Sequence, residues 1–307
     1  MTGLEAGRLD TRLTDGVRGD SGRRQGWHHL ASEMSRPGKL SRRNPKALHG
    51  KLPPGSWDKL YGRNAVYEVL RANRRQVRRL SIARGVKESG ILQQILQHAS
   101  ASGIPVVRVE RNELDLLGTG HQGVIADASP YPYVMLKDIL ARAREDKQAP
   151  LVLLLDVLQD PQNMGTLLRT ALAVGVHGVI LPLRRGVGVT PGVVAASAGT
   201  CEHMLVAMAN LAQSIRSLKE ADIWILGLET SAQAPTLESI DTKEALGLVI
   251  GGEAKGMRRL VRESCDALVR LPMRPGIDSL NAAVAGSIVL YAVWQARGYV
   301  GAQVPAF

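Results

Sequence analysis

From Lys59 onward the chain alternates between apolar runs too short to be helices and stretches with apolar residues three and four apart. Val77 to Ala83, Ile104 to Val109 and Val124 to Ala128 read as strands, and Ala65 to Arg71, Gly90 to Ala101 and Glu113 to Leu117 as helices. This alternation predicts a small α/β domain over 58–129. Residues 130–149 read as a linker, with Pro130 and Pro132 followed by a connecting helix from Leu136 to Ala143. A second domain is predicted over 150–300. It opens on the wholly apolar strand Leu151 to Leu155, and Asp160-Pro161 then supplies an N-cap and a first-turn proline for a helix reaching Val174. Strands follow at Val179 to Leu181, Met204 to Val206, Asp222 to Gly227, Leu246 to Ile250 and Leu268 to Leu271, with helices around Pro191 to Ala198 and Leu211 to Glu220. Near-continuous apolar strands alternating with helices imply a parallel sheet covered on both faces. On periodicity alone that is a plain doubly wound α/β sheet.

Residues 1–57 break the pattern. They hold 11 Lys and Arg against five Asp and Glu, so +6 of the chain's +11 lies there, with little apolar periodicity. The stretch reads as a disordered basic extension. It lacks the apolar core of a signal peptide, and Glu5, Asp10, Asp15 and Asp20 disfavour a transit peptide. Met34 is a candidate alternative start. A pI near 10 points to a polyanionic partner, with RNA or DNA phosphates ahead of a membrane surface. The arginines 71, 74, 75, 78 and 79 would form a positive edge on the small domain, serving either as a solvated face or as an RNA contact. No apolar run approaches a membrane span. Cys201 and Cys265 stand far apart with no metal-ligand spacing, as expected of idle thiols in a reducing, cytoplasmic compartment.

Three stretches could carry chemistry. In the first, Asn163-Met164-Gly165-Thr166-Leu167-Leu168-Arg169, Leu168 belongs to a buried face while Gly165 and Arg169 share another. A glycine inside a helix costs about 1 kcal/mol against alanine, so a close neighbour is expected at Gly165. The second, Gly251-Gly252-Glu253-Ala254-Lys255-Gly256-Met257, follows a buried strand. It has neither P-loop nor GxGxxG spacing, yet puts a carboxylate where open α/β sheets bind ligands. The third, Leu271-Pro272-Met273-Arg274-Pro275-Gly276-Ile277-Asp278-Ser279-Leu280-Asn281, runs through a rigid turn into a helix rich in Ala and Gly, with Ser279 as the expected N-cap. Each stretch also has a purely structural reading: an exposed helical arginine, a tight turn, a capped core helix.

In order and spacing the three stretches resemble the motifs of the SpoU branch of the SPOUT superfamily, RNA ribose 2′-O-methyltransferases that use S-adenosylmethionine. The resemblance spans about residues 59–298. Gly62-Arg63-Asn64-Ala65-Val66, His121-Gln122-Gly123-Val124 and Ser197-Ala198-Gly199-Thr200-Cys201-Glu202-His203 are similar to the group that methylates a guanosine in 23S ribosomal RNA. The resemblance implies a trefoil-knotted C-terminal domain, a rare topology, preceded by a small RNA substrate-binding domain, and a homodimer with the site near the interface. It implies catalytic roles for Asn163, Arg169, Glu253, Ser279 and Asn281, and cofactor contacts, largely through backbone, at Leu228, Gly251, Leu271 and Leu280. Ala254 departs mildly from the glycine common there.

The implied reaction transfers the sulfonium methyl to a ribose 2′-oxygen and calls for no metal. The resemblance gives Arg169 the part of base. Guanidinium groups hold their proton to above about pH 12, so phosphate holding and stabilisation of developing charge are the sounder physical roles. A tRNA ribose methyltransferase and an antibiotic-resistance rRNA methyltransferase are the alternatives within this chemistry, and a non-catalytic RNA-binding protein is the alternative outside it. A nicotinamide-dependent oxidoreductase would need the missing glycine fingerprint.

Overall fold

Two sheets organise the chain. The computed structural model describes residues 56–184, 186–231, 233–252 and 255–303, which belong to one compact unit. The basic extension lies outside the described residues apart from its last two positions.

The first sheet has four strands, β1 (Asp58–Tyr61), β2 (Val77–Ala83), β3 (Val106–Val109) and β4 (Val124–Ala128), in the order β1-β4-β2-β3. β4 pairs antiparallel with both neighbours, and β2 pairs parallel with β3. Helices α1 (Arg63–Ala72) and α2 (Ile91–Ala101) cover one face, burying Val66, Val69, Leu92 and Ile95 against Leu60, Leu80, Ile82 and Ala126. On the other face the short α3 (Arg111–Asp115) brings Leu114 onto Ala83 and Ile125. β1 was not expected as a strand. Four residues offer only one inward apolar position, Leu60, and its pairing with β4 spans almost the whole small domain.

The second sheet has six strands, all parallel, in the order β10-β8-β9-β5-β6-β7. They are β5 (Leu151–Asp156), β6 (Gly178–Pro182), β7 (Val206–Ala209), β8 (Trp224–Leu228), β9 (Leu246–Gly251) and β10 (Ala267–Val269). β5, β6 and nearly all of β9 are buried throughout, as their unbroken apolar runs require. Among the described residues this part of the chain also holds the helices α4 (Leu136–Glu145), α5 (Pro161–Ala173), α6 (Pro191–Ala196), α7 (Leu211–Glu220), α8 (Arg259–Ser264) and the closing α9 (Ala282–Ala296). Asp160 caps α5 by accepting from the Gln162 N–H at 3.0 Å, with Pro161 in the first turn. α5 packs between α6 and α9. At Gly165 a Cβ would stand 2.5 Å from the Ala196 Cβ and 2.8 Å from the Ser197 nitrogen, which accounts for the helical glycine.

The two sheets meet through buried polar contacts. Arg75, fully buried, faces Glu202 at 2.8 Å and Asp58 at 2.8 Å, and also donates to the Ser129 carbonyl. Arg74 donates to the carbonyls of Pro132, Glu202 and Met204 and lies over the Tyr131 ring. The expected positive edge is therefore split. Arg74 and Arg75 are internal struts, Arg71 is paired with Glu68, and Arg78 and Arg79 remain on the open side of the first sheet. Among the described residues no helix is long and apolar enough to cross a membrane.

Candidate active site

The C-terminal ends of β10, β8, β9 and β5 lie side by side. Register places Val269 opposite Leu228, Leu228 opposite Ile250, and Gly251 opposite Asp156. Leu228 and Gly251, assigned to the cofactor from sequence, are thus near neighbours on one sheet edge, and Leu271 follows two residues after β10 ends. Leu228, Gly251 and Leu271 are half-buried, and Leu280 is exposed.

Just after β9, described residues on either side of 253–254 are paired. Gly252 bridges Gly256, whose N–H donates to the Gly252 carbonyl at 2.9 Å. A Cβ on Gly251 would stand 2.3 Å from the Gly256 carbonyl carbon, and one on Gly252 would stand 2.6 Å from the Val157 oxygen, so both glycines are required by close backbone approach. Beyond the loop, Arg258 grips Asp156. Its backbone N–H and Nε donate to the two carboxylate oxygens at 2.7 Å each, and Asp156 is fully buried. Val157, next in the chain, has φ of 62°, a costly conformation for a β-branched residue that is held only where surrounding contacts enforce it. Nothing in the periodicity points to this clamp, whose partners are 102 residues apart. A lone acid ending an apolar strand was its one visible sign. Glu253 and Ala254 lie outside the described residues.

The third stretch leaves β10 and passes the loop before β9, where Arg270 donates through Nε to the Ala234 carbonyl and through its backbone N–H to Pro235. It then crosses to α9, which lies against α5 and β9. Here the structure corrects one expectation. Ser279 is exposed in the loop, and the N-cap of α9 is Asn281, whose Oδ1 accepts from the N–H groups of Ala283 at 2.9 Å and Val284 at 3.2 Å. The helix begins two residues later than a Ser279 cap would place it. The amide of Asn281 has a second group, and its Nδ2 donates to the Asn163 Oδ1 at 3.0 Å. The first and third motifs are therefore in direct contact. Further along, the Ser287 hydroxyl donates to the Thr170 hydroxyl at 3.0 Å, on the same side of α5 as Asn163. Arg169 precedes Thr170 by one position, about 100° around the helix. It is exposed, and no partner among the described residues holds it. Of the five polar candidates, Asn163 and Asn281 are joined by a hydrogen bond, Arg169 and Ser279 are exposed, and Glu253 lies outside the described residues.

The two cysteines are not part of this edge. Burial pushes both thiols up to about 12, with Glu202 adding to the effect at Cys201 and Asp266 at Cys265. Both stay protonated and unreactive at neutral pH.

The SpoU rRNA Methylase family matches residues 150–291, and the RNA 2′-O ribose methyltransferase substrate-binding family matches residues 59–134. YacO of Bacillus subtilis, named for the TrmH family of tRNA/rRNA methyltransferases, is 43% identical over 246 residues, which are 80% of this chain and 98% of YacO. The chain belongs to the SpoU, or TrmH, family of RNA methyltransferases. A TrmH-family protein of Staphylococcus saprophyticus is 38% identical over 79% of this chain and 97% of its own length. Among solved folds, the SpoU methyltransferase AviRb from Streptomyces viridochromogenes, crystallised with AdoMet, superposes with a TM-score of 0.67 at 23% identity, covering 83% of this chain and 97% of AviRb. An AdoMet-bound rRNA methyltransferase from Sinorhizobium meliloti gives 0.64 at 24% identity, covering 80% and 89%. SpoU family membership thus rests on sequence over nearly the whole described chain, and these two structures share the α/β architecture with it.

Proposed function

We propose that this SpoU-family protein transfers a methyl group from S-adenosylmethionine to the 2′-oxygen of a ribose, that of a guanosine in 23S ribosomal RNA. The observation that carries this reading is the Asn281–Asn163 hydrogen bond, which joins two distant motifs beside one sheet edge. The strand ends suit an adenosyl group. Leu228 and Leu271 offer half-buried apolar surface next to Gly251. Among the described residues, the loop 272–280 makes a single backbone hydrogen bond, Ile277 N–H to the Arg274 carbonyl, so its other polar groups are available to a ligand. The Asp156–Arg258 clamp fixes the end of β5 at that edge.

When bound, S-adenosylmethionine supplies a methyl on a positive sulfonium whose departing thioether is neutral. The residues have three tasks. Asn281 fixes the start of α9 and, through Asn163, the start of α5. Arg169, exposed and without a described partner, holds a phosphate beside the target ribose. The hydroxyl grows more acidic as the C–O bond forms, so a phosphate oxygen held by Arg169 is basic enough to take its proton. Glu253 and Ser279 complete the polar set. The 2′-hydroxyl also makes the choice of RNA over DNA part of the chemistry.

The molecule works as a homodimer in this reading. α9 carries a strip of exposed apolar residues at helical spacing, Val284, Ile288 and Tyr291, beside Thr166 and Thr170 of α5, and Ile277 and Leu280 extend it toward the site. The path from edge strand β10 back to α9 at the sheet centre supports a knotted chain. Ribose-methylation mapping of total RNA from a deletion strain tests the function. One lost 2′-O-methyl guanosine in 23S RNA, restored by the wild-type gene and not by Arg169→Ala, is expected. A lost tRNA mark would transfer the activity to tRNA, and an unchanged profile would refute the reading.

A further inference from the structure

The open face of the first sheet carries a row of charges that the proposed reaction does not use. On that face Lys59 of β1, Asp127 of β4 and Arg79 of β2 lie directly across from one another. An irregularity in β2 between Val77 and Arg79 adds one residue to that strand, so Arg78 reaches the same carboxylate as Arg79. Arg78 and Arg79 each donate to Asp127 Oδ2 at 2.9 Å, and Lys59 pairs with Oδ1. Asp127 is 2% exposed, whereas Arg78, Arg79 and Lys59 are 49%, 45% and 34% exposed. Burial alone would raise the Asp127 carboxyl, but the hydrogen bonds from Lys59 and Arg78 and the charge of Arg79 bring it below its ordinary value, so it stays ionised. One buried anion therefore anchors three half-exposed cations, leaving a formal excess of two positive charges. Trp57 lies 5.0 Å from the Arg78 guanidinium, adding an aromatic surface. α3 covers only the far end of this face, around Ala83 and Ile125.

We propose that this row, Lys59, Arg78, Arg79 and Trp57, is a phosphate-binding track for the RNA substrate, which the small domain grips at a distance from the methyl-transfer edge. The proposal rests on the reading of the chain as an RNA methyltransferase. Charge selects the occupant. The segment leading into Trp57 carries +6, so the row repels it, and both together attract a polyanion. The shared carboxylate also holds the cationic groups in place, which reduces the entropy lost when phosphates bind. Each guanidinium commits one nitrogen to Asp127 and has further donors for a phosphate oxygen.

Phosphate contacts are indifferent to sequence, so fluorescein-labelled oligouridylate of about 15 nucleotides serves as probe for the full chain. Replacing Lys59 and Arg78 by glutamine should reduce the slope of log affinity against log salt by about 1.4, given ~0.7 per lost single-strand contact. Affinity at low salt should fall several-fold, with S-adenosylmethionine binding unchanged. An unaltered slope in a variant that unfolds at the wild-type midpoint would overturn the proposal. Wild-type protein photo-crosslinked to the same probe gives an answer independent of folding. Adducts on the peptides around 57–61 and 77–79 are expected, and their absence while adducts form elsewhere would also overturn it. A reduced slope without any methyl transfer would sink the enzymatic reading and leave the track standing; methyl transfer with an unaltered slope would do the reverse.

Discussion

Asn281 shows how two demands converge on one side chain. Its carbonyl oxygen satisfies two first-turn N–H groups of α9, and its amide nitrogen holds Asn163. Serine at this position keeps a capping oxygen and cannot reach Asn163, whereas alanine loses both functions. Asn281→Ala should therefore lower stability by about 1 kcal/mol, and Asn281→Ser by only a few tenths. Methyl transfer should fall about 10- to 100-fold in both, because the link to Asn163 is lost in both. Urea unfolding and single-turnover methylation separate the two effects; activity that tracked stability would make Asn281 a cap and nothing more. The sequence marked Asn281 as a site residue but put the cap at Ser279, since both residues cap well and only three-dimensional contact with Asn163 decides between them. Arg74 and Arg75 were equally opaque. An arginine on a short amphipathic stretch reads as surface, and here the residues that bury it, Glu202 and Tyr131, lie far along the chain.

The elements themselves were largely legible, because buried parallel strands such as Leu151–Asp156 are apolar throughout and α5 announces its start with Asp160-Pro161. Gly165 was legible as a close approach, and α6 turns out to be the neighbour. The short α8 went unread, its charged Arg-Leu-Val-Arg-Glu-Ser offering only Val261 to the core. α9 has the opposite character. It is apolar nearly all round, yet Val284, Ile288 and Tyr291 are between 44% and 50% exposed. A helix that stays apolar on its solvent side is expected to have a partner. Glutamate at Ile288 and Tyr291 should leave the monomer folded and convert a dimer to monomers in sedimentation equilibrium. A wild-type chain that sediments as a monomer at micromolar concentration would refute the dimer.

At the scale of the whole molecule, the two sheets are joined by charges buried where water cannot replace them. Arg75 and Glu202 are both fully buried, 2.8 Å apart, with Arg74, Tyr131 and the carbonyls of Pro132, Glu202 and Met204 closing the contact. The Ser197–His203 stretch supplies much of the second domain's side, and at Gly199 a Cβ would stand 2.7 Å from the Glu68 Cβ and 2.9 Å from the Ala65 Cα of α1. Such an ion pair contributes little net stability when formed but is costly to break, since the remaining charge stays buried. Arg75→Met should cost about 3–5 kcal/mol, whereas Arg75→Met with Glu202→Leu should recover most of that loss. Burial raises the Glu202 carboxyl above its ordinary value, with Arg75 and Arg74 opposing the rise. A raised folded-state value means that this group's contribution is fully present below the unfolded value of 4.5 and is lost as pH rises through the folded one. Glu202 is therefore not a source of acid sensitivity, and Glu202→Leu should lower stability without making its fall in acid any less steep. A urea titration of the four proteins, wild type, two singles and the double, gives the coupling directly. Limited proteolysis near residues 129–135 reports docking separately from stability: the Arg75→Met protein should be cut faster than wild type, and the double variant at nearly the wild-type rate. If both singles and the double lose stability additively, the pair does not act as a unit, and the sheets are held by Arg74 and its carbonyls instead.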